Sequence, residues 1–402
     1  MLTVLSLFDE RSRPKGTRDP LGAEAIWSSI GRKLVGNLTT VTSNLDNFIV
    51  ALLCCRYASE CSDNSWEMQE HFLRFEQLAA YLRCQSGRDS LLGITRARNN
   101  LGKSELKVLP LGRGSQSEIL SNQLSYGLWG LYSTALQLAD LLEPGQRKPT
   151  AAGQEFIDSL VAGLGKTEWT ALVRICQRRK VSRVEIESHA PAFAALLGQQ
   201  SLRQRLVNLL LDGRLASPLQ RELFLLAHIY LAEASEWEVS GFCGWLQQRA
   251  GISDELRRVV LAIQSIEPLL VLAATIFGWL QGQQNCEASK LVEVLPPRLE
   301  NLGLRDHWMQ LSALPHRDFL QKLHKYAIAG DSLQVINTLL EHNRSIMAGR
   351  KGAPWLEWEG RRLKVRVRNG CALLPEQLDE ASLGWHNTYF IGSFLAIAAE
   401  AV

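Results

Sequence analysis

Apolar positions recur at three- and four-residue steps along most of this chain. Ile26, Ile30, Leu34, Leu38 and Val41 keep that step, the period of a helix with one buried face. Asn44 or Ser43 is placed to cap a second helix through Ala58, because a short side-chain oxygen satisfies the free amides of a first turn. Residues 65–83 set Met68, Phe72, Phe75, Leu78, Ala79 and Leu82 on one helical face. A glycine-rich stretch, 84–117, follows, and its LKVLPL (106–111) reads as a short strand. Segment 118–142 returns to a helical pattern, broken at Gly127 and Gly130. From about 150 to 345 nearly everything is helical by period. Helices are predicted at 153–163, 167–179, 190–197, 201–211, 218–234, 238–249, 253–280, 287–295, 305–312, 316–329 and 331–347, punctuated by Gly213, Pro218, Gly251 and Pro296-Pro297. The period then changes. Around a Glu359-Gly360 turn, Leu363, Val365 and Val367 alternate with Lys364, Arg366 and Arg368, the two-residue repeat of a strand pair. The last twenty residues read as an apolar helix.

These elements predict a mainly α, multi-helical protein with a winged-helix-like module and a small C-terminal β-hairpin/helix cap. The expected divisions are an extended arm (1–20), an N-terminal helical domain with the winged-helix-like segment (21–152), a central helical domain (153–347) and a C-terminal strand-pair and helix cap (348–402). At 402 residues the chain exceeds what one core usually serves, and 46% apolar content fills a core where a disordered chain could not. The start, MLTVLSLFDERSR, lacks the basic stretch of a secretory signal. Eight cysteines form no CxxC pair, and Cys54 and Cys55 in FIVALLCC read as buried thiols, so a reduced, cytoplasmic setting is expected. The most apolar stretch, 259–280, is interrupted by Glu267 and Pro268; the remaining thirteen residues fall short of the ~20 that span a bilayer, so a buried helix and no membrane partner are expected.

Motifs for chemistry fail at their defining positions. GLGKTEW (163–169) has Leu160 where a phosphate-binding loop needs glycine, and helix rather than strand precedes it. LGKSE (101–105) has Ala97 at that position. HRDF (316–319) resembles a kinase catalytic loop, but Leu323 stands where its asparagine belongs, so a helix start is expected. His307, His316, His324 and His342 form no metal-ligand spacing, and neither metal nor cofactor is expected.

The charge pattern is more telling. The net charge is only +3, yet three stretches concentrate cations. Segment 96–113 holds Arg96, Arg98, Lys103, Lys107 and Arg113 against Glu105; segment 174–183 holds five cations and no acid; segment 361–368 holds five more and no acid. Such asymmetry attracts phosphate backbones. Arg96, Arg98, Lys103, Lys107, Arg113, Lys364, Arg366 and Arg368 are the candidate phosphate contacts. Segment 118–156 resembles winged helix-turn-helix modules in the helix ending Ala139-Asp140-Leu141-Leu142 and the Thr150-Ala151-Ala152-Gly153 step. The recognition helix would carry only Glu118 and Asp140 as charges, which fits protein docking better than base reading. Trp355, Trp358 and Trp385 cluster in the tail, either as a clamp on the body or as a partner-binding surface.

Two sets of residues, DPLGAEAIWSSIGRKLVGNLTTVT (19–42) with ILSNQLSYGLWGLYS (119–133), and the tail RKGAPWLEWEG with WHNTYFIGSFLAIA, resemble a group of helical accessory proteins encoded in bacterial anti-phage defence gene neighbourhoods. The resemblance carries over no catalytic residue and implies a cytoplasmic role among other protein subunits. The expectation is therefore a non-catalytic accessory or scaffold subunit of a complex acting on nucleic acid, DNA or RNA. Its rivals are a winged-helix DNA-binding regulator and an enzyme whose site is assembled from distant residues.

Overall fold

Every residue from Leu45 to Cys55 is buried, so the apolar run FIVALLCC forms a helix enclosed on all sides rather than one with a wet face. The computed structural model describes residues 18–88, 90–103, 107–295, 303–369, 374 and 384–401. In chain order its first elements are α1 (Ala23–Leu34), α2 (Leu45–Cys61), α3 (Ser65–Gln85), α4 (Ile94–Gly102) and strand β1 (Val108–Pro110). Three short helices follow, α5 (Gln123–Tyr126), α6 (Leu128–Leu131) and α7 (Ser133–Leu138), then α8 (Ala151–Leu164), α9 (Lys166–Gln177), β2 (Lys180–Ser182) and α10 (Arg183–Leu197). Next come α11 (Gln200–Leu211), α12 (Pro218–Glu233), α13 (Val239–Gln248), α14 (Asp254–Leu280) and α15 (Ala288–Val294). The chain ends with α16 (Arg317–Ile328), α17 (Ser332–Gly349), the hairpin β3 (Leu356–Glu359) and β4 (Arg362–Val365), and α18 (Ile391–Ala398). Among the described residues the protein is mainly helical with two small antiparallel strand pairs.

The chain divides into two units: Met1–Lys33 with Cys243–Tyr389, and Leu34–Phe242 with Phe390–Val402. Both units are discontinuous in sequence, and their limits fall elsewhere than the 152/153 and 347/348 boundaries expected from composition. Residues 1–17 of the expected arm, Glu105, Cys371 and most of the 370–383 connection lie outside the described residues.

In the larger unit α2 packs lengthwise on α3, and α8, α9 and α10 close around the pair. Asn44 caps α2, its side chain accepting the Asn47 amide at 3.0 Å, as expected. The first helix is shorter than its pattern: α1 stops at Leu34, and Val41 is exposed. Segment 118–142 is broken at Gly127 and again at Tyr132, whereas Gly130 lies within α6. A side chain at Gly127 would collide with the Gln123 carbonyl and with Glu76 Oε1. That carboxylate is the reason for the break. Glu76 is fully buried and accepts the Leu128 amide at 2.7 Å and Gln123 Nε2 at 2.9 Å, so it latches α5 and α6 to α3.

Burial pushes the Glu76 carboxyl from 4.5 up to about 7, even though both hydrogen bonds favour its charged form. A raised acid binds its proton more tightly when folded. Stability is therefore fully present below pH 4.5 and declines as pH rises through 7, by on the order of 3 kcal/mol. Urea titrations between pH 4.5 and 8 should show this decline in the wild type and a flatter profile in Glu76→Gln. Equal slopes in the two chains would remove Glu76 as the cause.

In the other unit α14 is the axis. It runs unbroken for 27 residues through Pro268, matching the helix expected at 253–280. The proline removes one helical hydrogen bond, to the Gln264 carbonyl, without ending the helix. By length and composition α14 could cross a membrane, but 72% of its most apolar window is buried inside the chain. Glu267 is almost wholly buried. Its Oε1 accepts the His386 and Asn387 amides at 2.7 and 2.8 Å, and its Oε2 accepts Asn387 Nδ2 at 3.0 Å and the Tyr389 hydroxyl at 2.7 Å. The helix expected at 305–312 is a single 3-10 turn, His307–Gln310, held by the Trp308 amide donating to Ser265 Oγ at 3.0 Å. Helices α16 and α17 pack as a pair, and β3 lies against α17. The hairpin turns at Gly360 (φ 66°) with Leu363 and Val365 inward, in the expected alternation.

Candidate nucleic-acid interface

Two of the three basic segments are joined by one strand pair. Helix α9 ends at Gln177, and the chain reverses through Arg178 and Arg179, the latter in the left-handed region at φ 58°. Strand β2 then runs antiparallel to β1, pairing Pro110 with Lys180, Leu109 with Val181 and Val108 with Ser182. The Leu111 amide donates to the Arg179 carbonyl at 2.8 Å and the Arg183 amide to the Lys107 carbonyl at 3.3 Å, extending the ribbon at both ends. Leu109 and Val181 are buried on the face toward the unit's core. That anchoring turns Val108, Pro110 and Lys180 outward, because successive strand positions face opposite sides. The Arg183 guanidinium donates to the Lys103 carbonyl, tying the 96–113 loop to the start of α10.

Lys103, Lys107, Arg174, Arg178, Arg179 and Lys180 are all exposed along this ribbon and its flanks. Among the described residues, the side chains of Lys103, Lys107, Arg179 and Lys180 have no ion-pair partner. Arg178 is paired with Glu185, which also completes a capping box with Ser182 at the start of α10. Arg98 is exposed on α4. Arg96 is directed inward, donating to the Glu118 carbonyl at 3.2 Å and to Ser121 Oγ at 3.1 Å. Arg113 lies two residues beyond the ribbon. It donates to Gln69 Oε1 at 2.7 Å, approaches Glu70 at 3.4 Å and sets its guanidinium 4.6 Å from the centre of the Trp66 ring. Arg174, Arg178, Arg179 and Lys180 were absent from the candidate contacts read from sequence. The five-cation run 174–183 was the signal that could have supplied them.

The tail strand differs. Lys364 Nζ lies 3.0 Å from Glu359 and 3.9 Å from Glu357, and Arg366 pairs with Glu357 and donates to the Pro354 carbonyl at 3.2 Å. Arg362 pairs with Glu287 at 3.1 Å. The Arg366 guanidinium holds the Glu357 carboxyl below its usual range. The acids that neutralise this strand come from its own hairpin and from Glu287, outside the window that showed it as basic. Lys364 and Arg366 are thus committed within the fold, while Arg368 is exposed beyond β4. The tail tryptophans have internal partners: the buried Trp355 donates its amide to Asn343 Oδ1, Trp358 donates its indole N–H to Asn337 Oδ1 at 2.8 Å, and Trp385 donates to the Asn387 carbonyl.

The features that resembled catalytic motifs sit at helix junctions. Gly163–Lys166 joins α8 to α9 through Gly165 at φ 93°. His316 precedes α16, as the Pro315-His316 step predicted. His316 lines an open cleft with Asp19 and Arg350, Asp318 lines a separate one with Lys322 and Glu341, and His324 is buried edge-on to Trp308. His342 stacks on Phe319 at 3.7 Å and donates its Nε2 hydrogen to the Leu21 carbonyl at 2.8 Å. Burial lowers its imidazole to about 4. Lys148, in the segment resembling a winged helix, pairs with Asp63, and Arg147 stacks on Trp129. Comparison with protein-family models, with curated proteins and with solved structures finds no match to this chain.

Proposed function

We propose that this protein is a cytoplasmic accessory subunit that holds the phosphate backbone of a nucleic acid on the β1–β2 ribbon and acts by presenting surfaces to companion proteins. The observation that carries this is the antiparallel pairing of 108–110 with 180–182, which brings two runs of cations, eighty residues apart in places, onto one exposed edge. Cations held on a rigid, core-anchored ribbon contact phosphates without first being ordered, and they read backbone charge rather than base identity. The sequence resemblance to accessory proteins of anti-phage defence neighbourhoods supports a place in such an assembly.

The test is a salt titration of binding to labelled DNA and RNA. A chain carrying Lys107→Gln, Arg179→Gly and Lys180→Gln should lower the slope of log affinity against log salt by about 2–3, since each lost phosphate contact removes ~0.9 on duplex DNA and ~0.7 on single strands. Glycine at 179 also relieves a left-handed backbone strain of ~1 kcal/mol, so loss of folding would not account for weaker binding. The tail variant Lys364→Gln, Arg366→Gln, Arg368→Gln should leave most of the slope in place. An unchanged slope in the ribbon variant excludes the ribbon.

A further inference from the structure

The chain just beyond β1 reaches one feature that phosphate binding alone does not use. Trp66 is 61% exposed, and among the described aromatic residues of its unit only Tyr126, at 63%, has a larger exposed fraction. It sits in the first turn of α3, where Asn64 caps the helix by accepting the Trp66 amide at 2.9 Å. Its connection to the ribbon is short. Leu111 is bonded to Arg179 across the end of the strand pair, and Arg113, two residues on, lays its guanidinium against the indole while donating to the Trp66 carbonyl at 3.3 Å. Two trans peptide steps of 3.8 Å between Cα atoms are all that separate the ribbon's last rung from this stacked pair. One face of the indole is thus held by a cation that lies two residues along the chain from the ribbon's last rung.

We infer that the ribbon's ligand is single-stranded nucleic acid, with an unpaired base stacked on Trp66. This rests on the phosphate-binding proposal above and adds the strand state of the ligand. An exposed indole linked through Arg113 to a ribbon that carries uncommitted cations combines the two elements that bind single strands without sequence preference, because every base has a stacking face and every nucleotide a phosphate. A duplex offers its bases only edge-on, so it could engage the cations and not the ring. The Arg113 contact orients the indole in advance, which reduces the ordering needed on binding.

Binding of a fluorescein-labelled 20-nucleotide oligo-dT and of a hairpin duplex of matched charge would be followed by anisotropy at two salt concentrations. The wild type should prefer the single strand. Trp66→Ala should weaken oligo-dT binding about tenfold or more while leaving hairpin binding and the salt slope unchanged, and Trp66→Phe should restore most of the loss. The exposure of the side chain makes the alanine chain safe to fold, which thermal melting would check. If Trp66→Ala leaves the single-strand preference untouched while the ribbon variant weakens both ligands, the stacking inference falls and the phosphate track stands. A wild type that prefers the duplex also overturns the inference. A wild type that binds neither ligand overturns both.

Discussion

Glu267→Leu is expected to destabilise the unit built on α14 by about 3–5 kcal/mol, the range for stripping one partner from a buried charged network. The leucine fills the space but accepts nothing. Two backbone amides, an asparagine side chain and the buried Tyr389 hydroxyl would then face an apolar group where Glu267 had accepted from them. Burial and the neighbouring carboxylate hold Tyr389 well above its usual range, so its hydroxyl keeps its proton and is a donor at any ordinary pH. Glu267→Gln should be much milder, about 1–2 kcal/mol. Its carbonyl oxygen can keep the two amides, and the tyrosine hydroxyl can rotate to accept from the new amide nitrogen. Amide hydrogen exchange at His386 and Asn387, read beside urea denaturation, separates local release from global loss. A leucine variant as protected at those two amides as the wild type would show that the carboxylate does not hold this segment.

That residue also marks where the sequence stops being legible. An isolated Glu in VVLAIQSIEPLLVLAATIFGWL reads as an interruption of an apolar run, because its four donors lie about 120 residues downstream, in a stretch that reads as the start of the terminal helix but precedes α18, which begins only at Ile391. Local signals fared better. The three- and four-residue step located most helices of 150–345 to within a few positions, and the Asn44 cap was readable because its chemistry is contained within four residues. Where helix α10 was concerned, the expectation began at 190, yet the helix starts at Arg183. The Ser182-Arg183-Val184-Glu185 capping box was present in the sequence and outweighs Pro191, which α10 accommodates in its interior. The ribbon was beyond reach for a different reason. Strands of three residues have no measurable period, and the partner of 108–110 lies some seventy residues away. Cationic runs could be counted, but whether a cation is free depends on acids brought to it by folding, which is why 361–368 read as five cations with no acid, while the structure pairs Arg362, Lys364 and Arg366.

The second large effect is expected at Asp46, which draws together three arginines from different parts of the larger unit. Its Oδ1 meets Arg203 Nη1 at 2.5 Å, and its Oδ2 meets Arg88 at 2.9 Å and Arg83 at 3.9 Å. Arg203 in turn binds Glu400, so the C-terminal turn after α18 is fastened through the same guanidinium. Asp46→Ala should cost about 3–5 kcal/mol, because Arg83 and Arg203 are both almost fully buried and would keep their charge with less to neutralise it. Arg88 is a third exposed and can turn to solvent, and Arg83 retains Asn47 and the Ser90 carbonyl, so most of the loss falls on Arg203. A double variant, Asp46→Ala with Arg203→Met, should therefore be more stable than Asp46→Ala alone: it removes the stranded cation while the methionine fills part of its volume. Glu400→Gln by itself should have a smaller effect, since Arg203 keeps Asp46 and the Leu197 carbonyl. Chemical denaturation of the wild type, Asp46→Ala, Arg203→Met and the double variant gives the coupling between positions 46 and 203. Additive losses would mean that Arg203 is held by Glu400 and the Leu197 carbonyl, with Asp46 serving only to begin α2.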